Sequence, residues 1–388
     1  MAEKGPEAAR AVTIALGGFC ALLAAMGIGR FLFTPVLPMM PGLSPAEAGL
    51  VASANFAGYL LGALLGAVAW FSARPGPVLL CALALSVLTT GAMVLTEHPV
   101  AWGLLRFVAG LASAGVLVTA STLVAARLGA VGRGGLTALH FAGVGAGIAV
   151  SAIIASPLIA AAEDWRIVWL GGALAALAGA IAALLLIPRQ RPLAAAQAQE
   201  SAAAPGLWRL VLSYGAVGFG YVILATFIVA ILREGGGSRA DEAVVWGLVG
   251  LAGMPSILLW RWIAQRIGTL LAIQAAMLVE AAGIAIGALA GGAFALGIAA
   301  TALGATFMAL TALGLQEAVT RAPGAAQRVI ALMTAAFGLG QIIGPARAGW
   351  LRTTTGDYLA PSLIAAAVLV AGMAVLEPLR RAAQAERL

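Results

Sequence analysis

Charge is scarce in this chain. Only 10% of its 388 residues are Asp, Glu, Lys or Arg, where a soluble domain carries roughly 25%. That shortage excludes an ordinary water-soluble protein. Lysine is nearly absent, Lys4 being the single one, so arginine at any one position carries little meaning of its own. Aspartate is missing from every long apolar block. Cysteine is limited to Cys20 and Cys81, and histidine to His98 and His140. Neither set has the spacing of a disulfide framework or a zinc site, and no metal or cofactor is expected. There is no His-Glu-x-x-His, no nucleophile elbow and no Gly-rich phosphate loop, which argues against an enzyme. The net charge of +7 comes from arginines scattered singly between apolar blocks, so nucleic acid is not an expected partner.

What the chain has is 62% hydrophobic residues. They run in continuous blocks of the length that crosses a bilayer, about 20 residues. Alternating ten-residue strands are missing, which excludes a membrane β-barrel. The reading is an all-α integral membrane protein with twelve transmembrane helices. The spans are near 11–37, 47–71, 77–96, 100–126, 134–160, 167–187, 208–232, 242–262, 269–290, 293–319, 328–351 and 359–379. Short loops rich in Pro, Gly or charge separate them. The longest polar stretch, "PRQRPLAAAQAQESAAAP" from Pro188 to Pro205, predicts two halves. They are a six-helix half at 1–187, a cytoplasmic linker at 188–207 and a second six-helix half at 208–388. The polar N-terminus, MAEKGPEAAR, shows no small-residue cleavage site, so the first block is read as a retained helix.

Arginine placement sets the orientation. With the N-terminus inside, Arg74, Arg127, Arg133, Arg189, Arg191, Arg209, Arg261, Arg266, Arg321 and Arg328 fall on the cytoplasmic side. Only Arg166, Arg233, Arg239 and Arg352 fall outside. The expectation is a multi-pass protein of the cytoplasmic (inner) membrane of a bacterium, both termini in the cytoplasm, working as a monomer in the lipid bilayer.

A faint repeat links the halves. "GIGRFLFT" from Gly27 and "GFGYVILAT" from Gly218 sit at matching places in spans 1 and 7. This matches Arg30 with Tyr221. Six helices repeated in six is a common transporter organisation, with substrate held near the midplane between the halves.

A charge at the bilayer centre costs about 2.5–3.5 kcal/mol on insertion scales. Arg30 and Arg106 have apolar, Gly-rich flanks and no acid on a neighbouring turn, so a cavity-facing role is expected of both. The alternative is an interhelical bond to backbone carbonyls or to Asn55. Tyr221, Asn55, Tyr59, Thr226 and Gln341 are single polar residues in apolar helices and are expected to line a substrate site with Arg30. Arg106, His140 and Arg347 are expected to serve coupling, with Gly344 and Pro345 as a gating bend. His140 is equally readable as a helix–helix contact, and Arg347 as a side chain reaching out to water. Glu280 and Glu317 are the acids available for proton coupling, but Glu280 is a poor fit to a proton carrier and Glu317 reads first as an interfacial residue reaching water.

Local phrases add a resemblance. "RFVAGLASAG" in span 4, "GIGRFLFTPVLP", "ANFAGYLLGALLG", "HFAGVGAGI" and "FGLGQIIGP" together are similar to the YbfB/YjiJ group of the major facilitator superfamily, over nearly the whole chain. The resemblance implies alternating access between two six-helix halves, and associates Arg106 with substrate or proton coupling. The family's Asp-Arg-x-Gly gate lacks its aspartate here, at "SARPG" and "QRIG". The expected function is secondary transport of a small molecule, best fitted by a small organic anion because the deep charges are mainly positive. Proton-coupled efflux of hydrophobic drugs or metabolites is the second expectation.

Overall fold

The computed structural model describes residues 4–66, 68, 73–157, 164–188 and 206–385. Most of the expected linker, 188–207, lies outside the described residues. Eleven single helices among the described residues are long and apolar enough to cross a membrane, and a bent pair adds the twelfth. We label them α1 Ala9–Met39, α2 Pro45–Gly66, α3 Pro75–Leu95, α4 Pro99–Ala130, α5 Gly134–Ala155, α6 Trp165–Leu186, α7 Leu207–Glu234, α8 Arg239–Gly253 with Ser256–Ile267, α9 Thr269–Ala290, α10 Gly292–Arg321, α11 Arg328–Thr355 and α12 Leu359–Ala382. The twelve-span, all-helical reading therefore holds.

The ends follow local chemistry. Ser238 and Asp241 form a reciprocal capping box at the start of α8, satisfying two helix N–H groups that have no partner within the helix. Asp164 accepts from the Arg166 amide at the start of α6. α8 bends by 48° at Met254–Pro255, where proline cannot supply the backbone N–H of a continuous helix. Pro345, expected to bend α11, sits inside a helix that runs on to Thr355.

The halves meet along α2 with α11, α5 with α8, and the far end of α1 with α7. Gly145 of α5 and Gly250 of α8 lie against each other's backbone, as do Gly49 with Pro345 and Gly349 with Pro45. A β-carbon at any of these would strike main chain, so the helices approach as only small residues allow. Side chains then stitch the seam. Ser53 Oγ donates to the Ile342 carbonyl at 2.7 Å, and Trp246 Nε1 to Ser151 Oγ at 2.9 Å. These contacts gather toward the end of the bundle that carries the α1–α2, α5–α6, α7–α8 and α11–α12 turns. The first segment of α1, Lys4–Leu22, packs instead on α4, α5 and α6 of its own half.

Candidate functional site

The site begins with a defect in α1. Residues Leu23–Ile28 form a π-turn, with the Gly29 amide on the Ala24 carbonyl at 2.9 Å. Helix resumes only at Phe33. An extra residue in a turn leaves carbonyls without their usual partner, and buried carbonyls need one. Arg106 of α4 supplies it. Its Nη1 donates to the Gly29 carbonyl at 2.7 Å and its Nη2 to the Arg30 carbonyl. Arg106 is itself buried, and Asn55 Nδ2 donates to its backbone carbonyl at 2.8 Å. Of the two expectations for Arg106, this geometry is the interhelical bond to backbone carbonyls.

Arg30 sits in the break and is only 4% exposed. Its guanidinium carbon lies 4.1 Å from the Tyr59 ring centre, 4.6 Å from Phe56 and 5.5 Å from Phe31. Such faces attract a cation by about 0.5–2 kcal/mol each. Its Nε and Nη2 have no hydrogen-bond partner. Those two nitrogens form one edge of the guanidinium, with parallel N–H bonds that match the two oxygens of a carboxylate. A cavity of about 20 Å³ is lined by Arg30, Asn55, Phe56, Arg106, Ala225 and Thr226 among others. That is room for one water.

Opposite Arg30, the second half presents rings. Tyr221 stacks between Phe307 at 5.9 Å and Phe337 at 5.6 Å. Gln341 Nε2 donates to the Tyr221 hydroxyl. Phe31 bridges the seam, 6.1 Å from Phe307 and 6.4 Å from Trp246. Thr34 Oγ1 donates to the Ala225 carbonyl at 2.6 Å, whereas Thr226 Oγ1 turns back to Val222 of its own helix at 2.7 Å. The structure thus brings Arg30, Asn55, Tyr59, Arg106, Tyr221, Thr226 and Gln341 to one seam.

His140 and Arg347 lie elsewhere. His140 is buried within the first half, 2.9 Å from Ser121 Oγ and packed on Phe141. Arg347 is exposed on the flank of α11 beside Trp350. Gly344 lets α11 lie against Phe219, Val222 and Ile223 of α7. Glu317 pairs with Arg321 one turn on, at 2.8 Å.

Two groups escaped the sequence reading. The first is the set Phe31, Phe56, Trp246, Phe307 and Phe337, apolar residues among many that give no contrast. The second is a latch at the tight end of the seam. Arg233 of α7 holds Glu242 at 2.5 Å and donates to the Pro38 carbonyl across the seam at 3.0 Å. Arg239 Nη2 reaches the Ala155 carbonyl at 3.1 Å. The signal was the density of charge around "REGGGSRADE", which reads equally as a solvated loop.

Twelve apolar spans packed in one bundle define a multi-pass membrane protein. The chain belongs to the family described as uncharacterised MFS-type transporter YbfB, whose sequence model matches residues 22–377. The resemblance seen in the sequence is therefore borne out, and the protein is a membrane transporter of the major facilitator type. Its fold is also similar to the crystal structure of a mutant of nucleoside transporter NupG, with a TM-score of 0.74 and 17% identity, covering 94% of this chain and 99% of that one. No curated protein matches the sequence.

Proposed function

We propose that this protein is a secondary transporter that carries a small organic anion by alternating access, with Arg30 as the anion-binding group. The observation that supports this is the unpartnered Nε–Nη2 edge of a buried arginine. Burying donors of a charged group without a partner is costly, and a transported carboxylate would satisfy both at once. The stacked rings of Tyr221, Phe307 and Phe337 offer a flat apolar wall for the rest of the substrate. Asn55, Tyr59, Thr226 and Gln341 complete the binding surface in this reading. No catalytic role is assigned.

We further infer that the two halves, 1–187 and 208–388, rock about the glycine seam as units joined by the linker. The tight end is taken as extracytoplasmic, with both termini in the cytoplasm of a bacterial inner membrane and the chain acting as a monomer. The conformation is then closed outward, with Arg233 and Arg239 as the latch. Gly344 and Pro345 act as the contact surface of α11, while His140 and Arg347 act away from the substrate. The stacked rings also favour the second reading, efflux of flat hydrophobic compounds.

Thermal stability of the purified protein separates these readings, because a ligand at 100 times its Kd adds about 2.7 kcal/mol. Benzoate, succinate, uridine and a cationic dye are tested on wild type and Arg30→Ala. Stabilisation by a carboxylate, lost in Arg30→Ala, supports the anion. Stabilisation by uridine or the dye, indifferent to Arg30, overturns it.

A further inference from the structure

One arginine of the second half faces the lipid. Arg347 of α11 is exposed on the flank of its helix, two turns before the end at Thr355. That is about 12 Å along the axis at 1.5 Å per residue, within the span. The packing of α11 fixes where Arg347 can point. Gly49 of α2 lies against the Pro345 backbone, and Gly349 against Pro45, across the seam. Two residues along a helix turn it by about 200°. Arg347 therefore stands on the opposite face, away from the seam. Its Cα–Cβ bond tilts toward the helix N-terminus, which is the far side of the bilayer. The side chain thus starts out toward the hydrocarbon. Its guanidinium carbon nevertheless comes back to lie 5.9 Å from the ring of Trp350, one turn nearer the surface. Trp350 is half-exposed, as tryptophans are at the level of lipid headgroups.

Among the described residues no acid pairs with Arg347. The acids on the adjoining ends of α7 and α12 are engaged. Glu234 binds Arg352 at 3.1 Å, and Asp357 Oδ1 accepts from the Leu359 amide at 3.0 Å. A lone cation facing hydrocarbon is expensive. A phosphate removes that cost, because the guanidinium matches its oxygens with paired N–H bonds. A groove lies beside it. A cavity of about 260 Å³ is walled by Phe219 and Ile223 of α7, Trp350 and Leu351 of α11, and Pro361 and Ile364 of α12, and Arg347 is the one charged residue described in its lining. Apolar walls with a single cation are complementary to an acyl chain joined to a phosphate.

We propose that this groove binds an anionic phospholipid, with the phosphate on Arg347 and part of one acyl chain against Phe219, Ile223 and Ile364. A zwitterionic headgroup fits less well. Its ammonium needs an acid, and Glu234 and Asp357 are taken. The groove lies on the outer flank of the second half, apart from the seam that holds Arg30.

Native mass spectrometry of the purified full-length protein tests this, with dioleoyl phosphatidylglycerol, dioleoyl phosphatidylcholine and inorganic phosphate as probes. The expected result is one phosphatidylglycerol retained per chain at lipid levels where phosphatidylcholine is lost, and not displaced by inorganic phosphate. Arg347→Ala weakens that first binding step by about fivefold or more, the weight of one arginine against an anionic headgroup. Ile364→Trp fills the groove, keeps the arginine, and weakens the same step even if Arg347→Ala fails to fold. Arg266→Ala, which removes a different arginine lying over Trp262 at the end of α8, leaves it unchanged. Undiminished binding in Arg347→Ala or Ile364→Trp, equal retention of phosphatidylcholine, displacement by inorganic phosphate, or an equal loss in Arg266→Ala would overturn the proposal. The readout involves neither Arg30 nor a transported anion, so its failure leaves the anion reading standing.

Discussion

α1 and α7 open the two halves with the same Gly-x-Gly phrase, yet they fold differently there. α7 is continuous from Leu207 to Glu234. α1 carries a π-turn and a break at the corresponding place. The partners differ to match. α1 is packed by α4, which carries Arg106, while α7 is packed by α10, which has no arginine before Arg321. A break frees carbonyls, and the helix beside it must bring donors. The lesson is that a repeat in sequence need not be a repeat in backbone. One buried arginine accompanies the broken helix and has no counterpart beside the unbroken one.

The comparison can be broken most severely at Arg106. Arg106→Ala leaves the Gly29 and Arg30 carbonyls buried without donors, at about 1–3 kcal/mol each. The expected outcome is a large fall in melting temperature, or loss of the monodisperse peak in size-exclusion chromatography. Lysine has one point charge for two carbonyls and rescues only part. Retention of full stability in Arg106→Ala would mean that the break needs no cap.

A smaller effect is expected at the latch. Arg233→Ala removes the donor to Pro38 and the partner of Glu242, shifting the balance between the two conformations by about 1–3 kcal/mol toward opening at that end. Spin-label distances across the tight end of the seam check this, and an unchanged distribution would refute it. Arg30→Ala, in contrast, removes a side chain whose Nε and Nη2 have no partner in the unliganded protein. Its melting temperature without ligand is expected to stay near wild type, with a change within about 1–2 kcal/mol from the lost ring contacts. A collapse like that of Arg106→Ala would make Arg30 structural. The smallest effect belongs to Tyr221→Phe, which loses the bond from Gln341 and keeps the stack, for about 0.5–1.5 kcal/mol.

The spans were legible because a bilayer demands long apolar blocks and tolerates little else. The membrane-buried positions of Arg30 and Arg106 were legible for the same reason, since charge stands out against such a background. Their partners were not. Arg106 binds main-chain carbonyls, which carry no sequence signature, and those carbonyls are free only because of a π-turn that hydropathy does not register. Gly27 and Gly29 hint at it, but 50 glycines dilute the hint. The rings around Arg30 were hidden in the opposite way, as apolar residues in an apolar helix. The bend in α8 did have a marker, Pro255, but span length alone concealed it.

The break in α1 has a consequence for force. Lys4–Leu22 is bedded in the first half, while Phe33–Met39 lies against α7 of the second. In the proposed rocking of the halves, relative rotation would load the few residues between, as torque on a joint. Arg30 is one of those residues, and Arg106 is the pin through them. In the proposed cycle, a substrate held by Arg30 would grip the protein at its axle, and a small displacement there would be geared into the swing of the two halves.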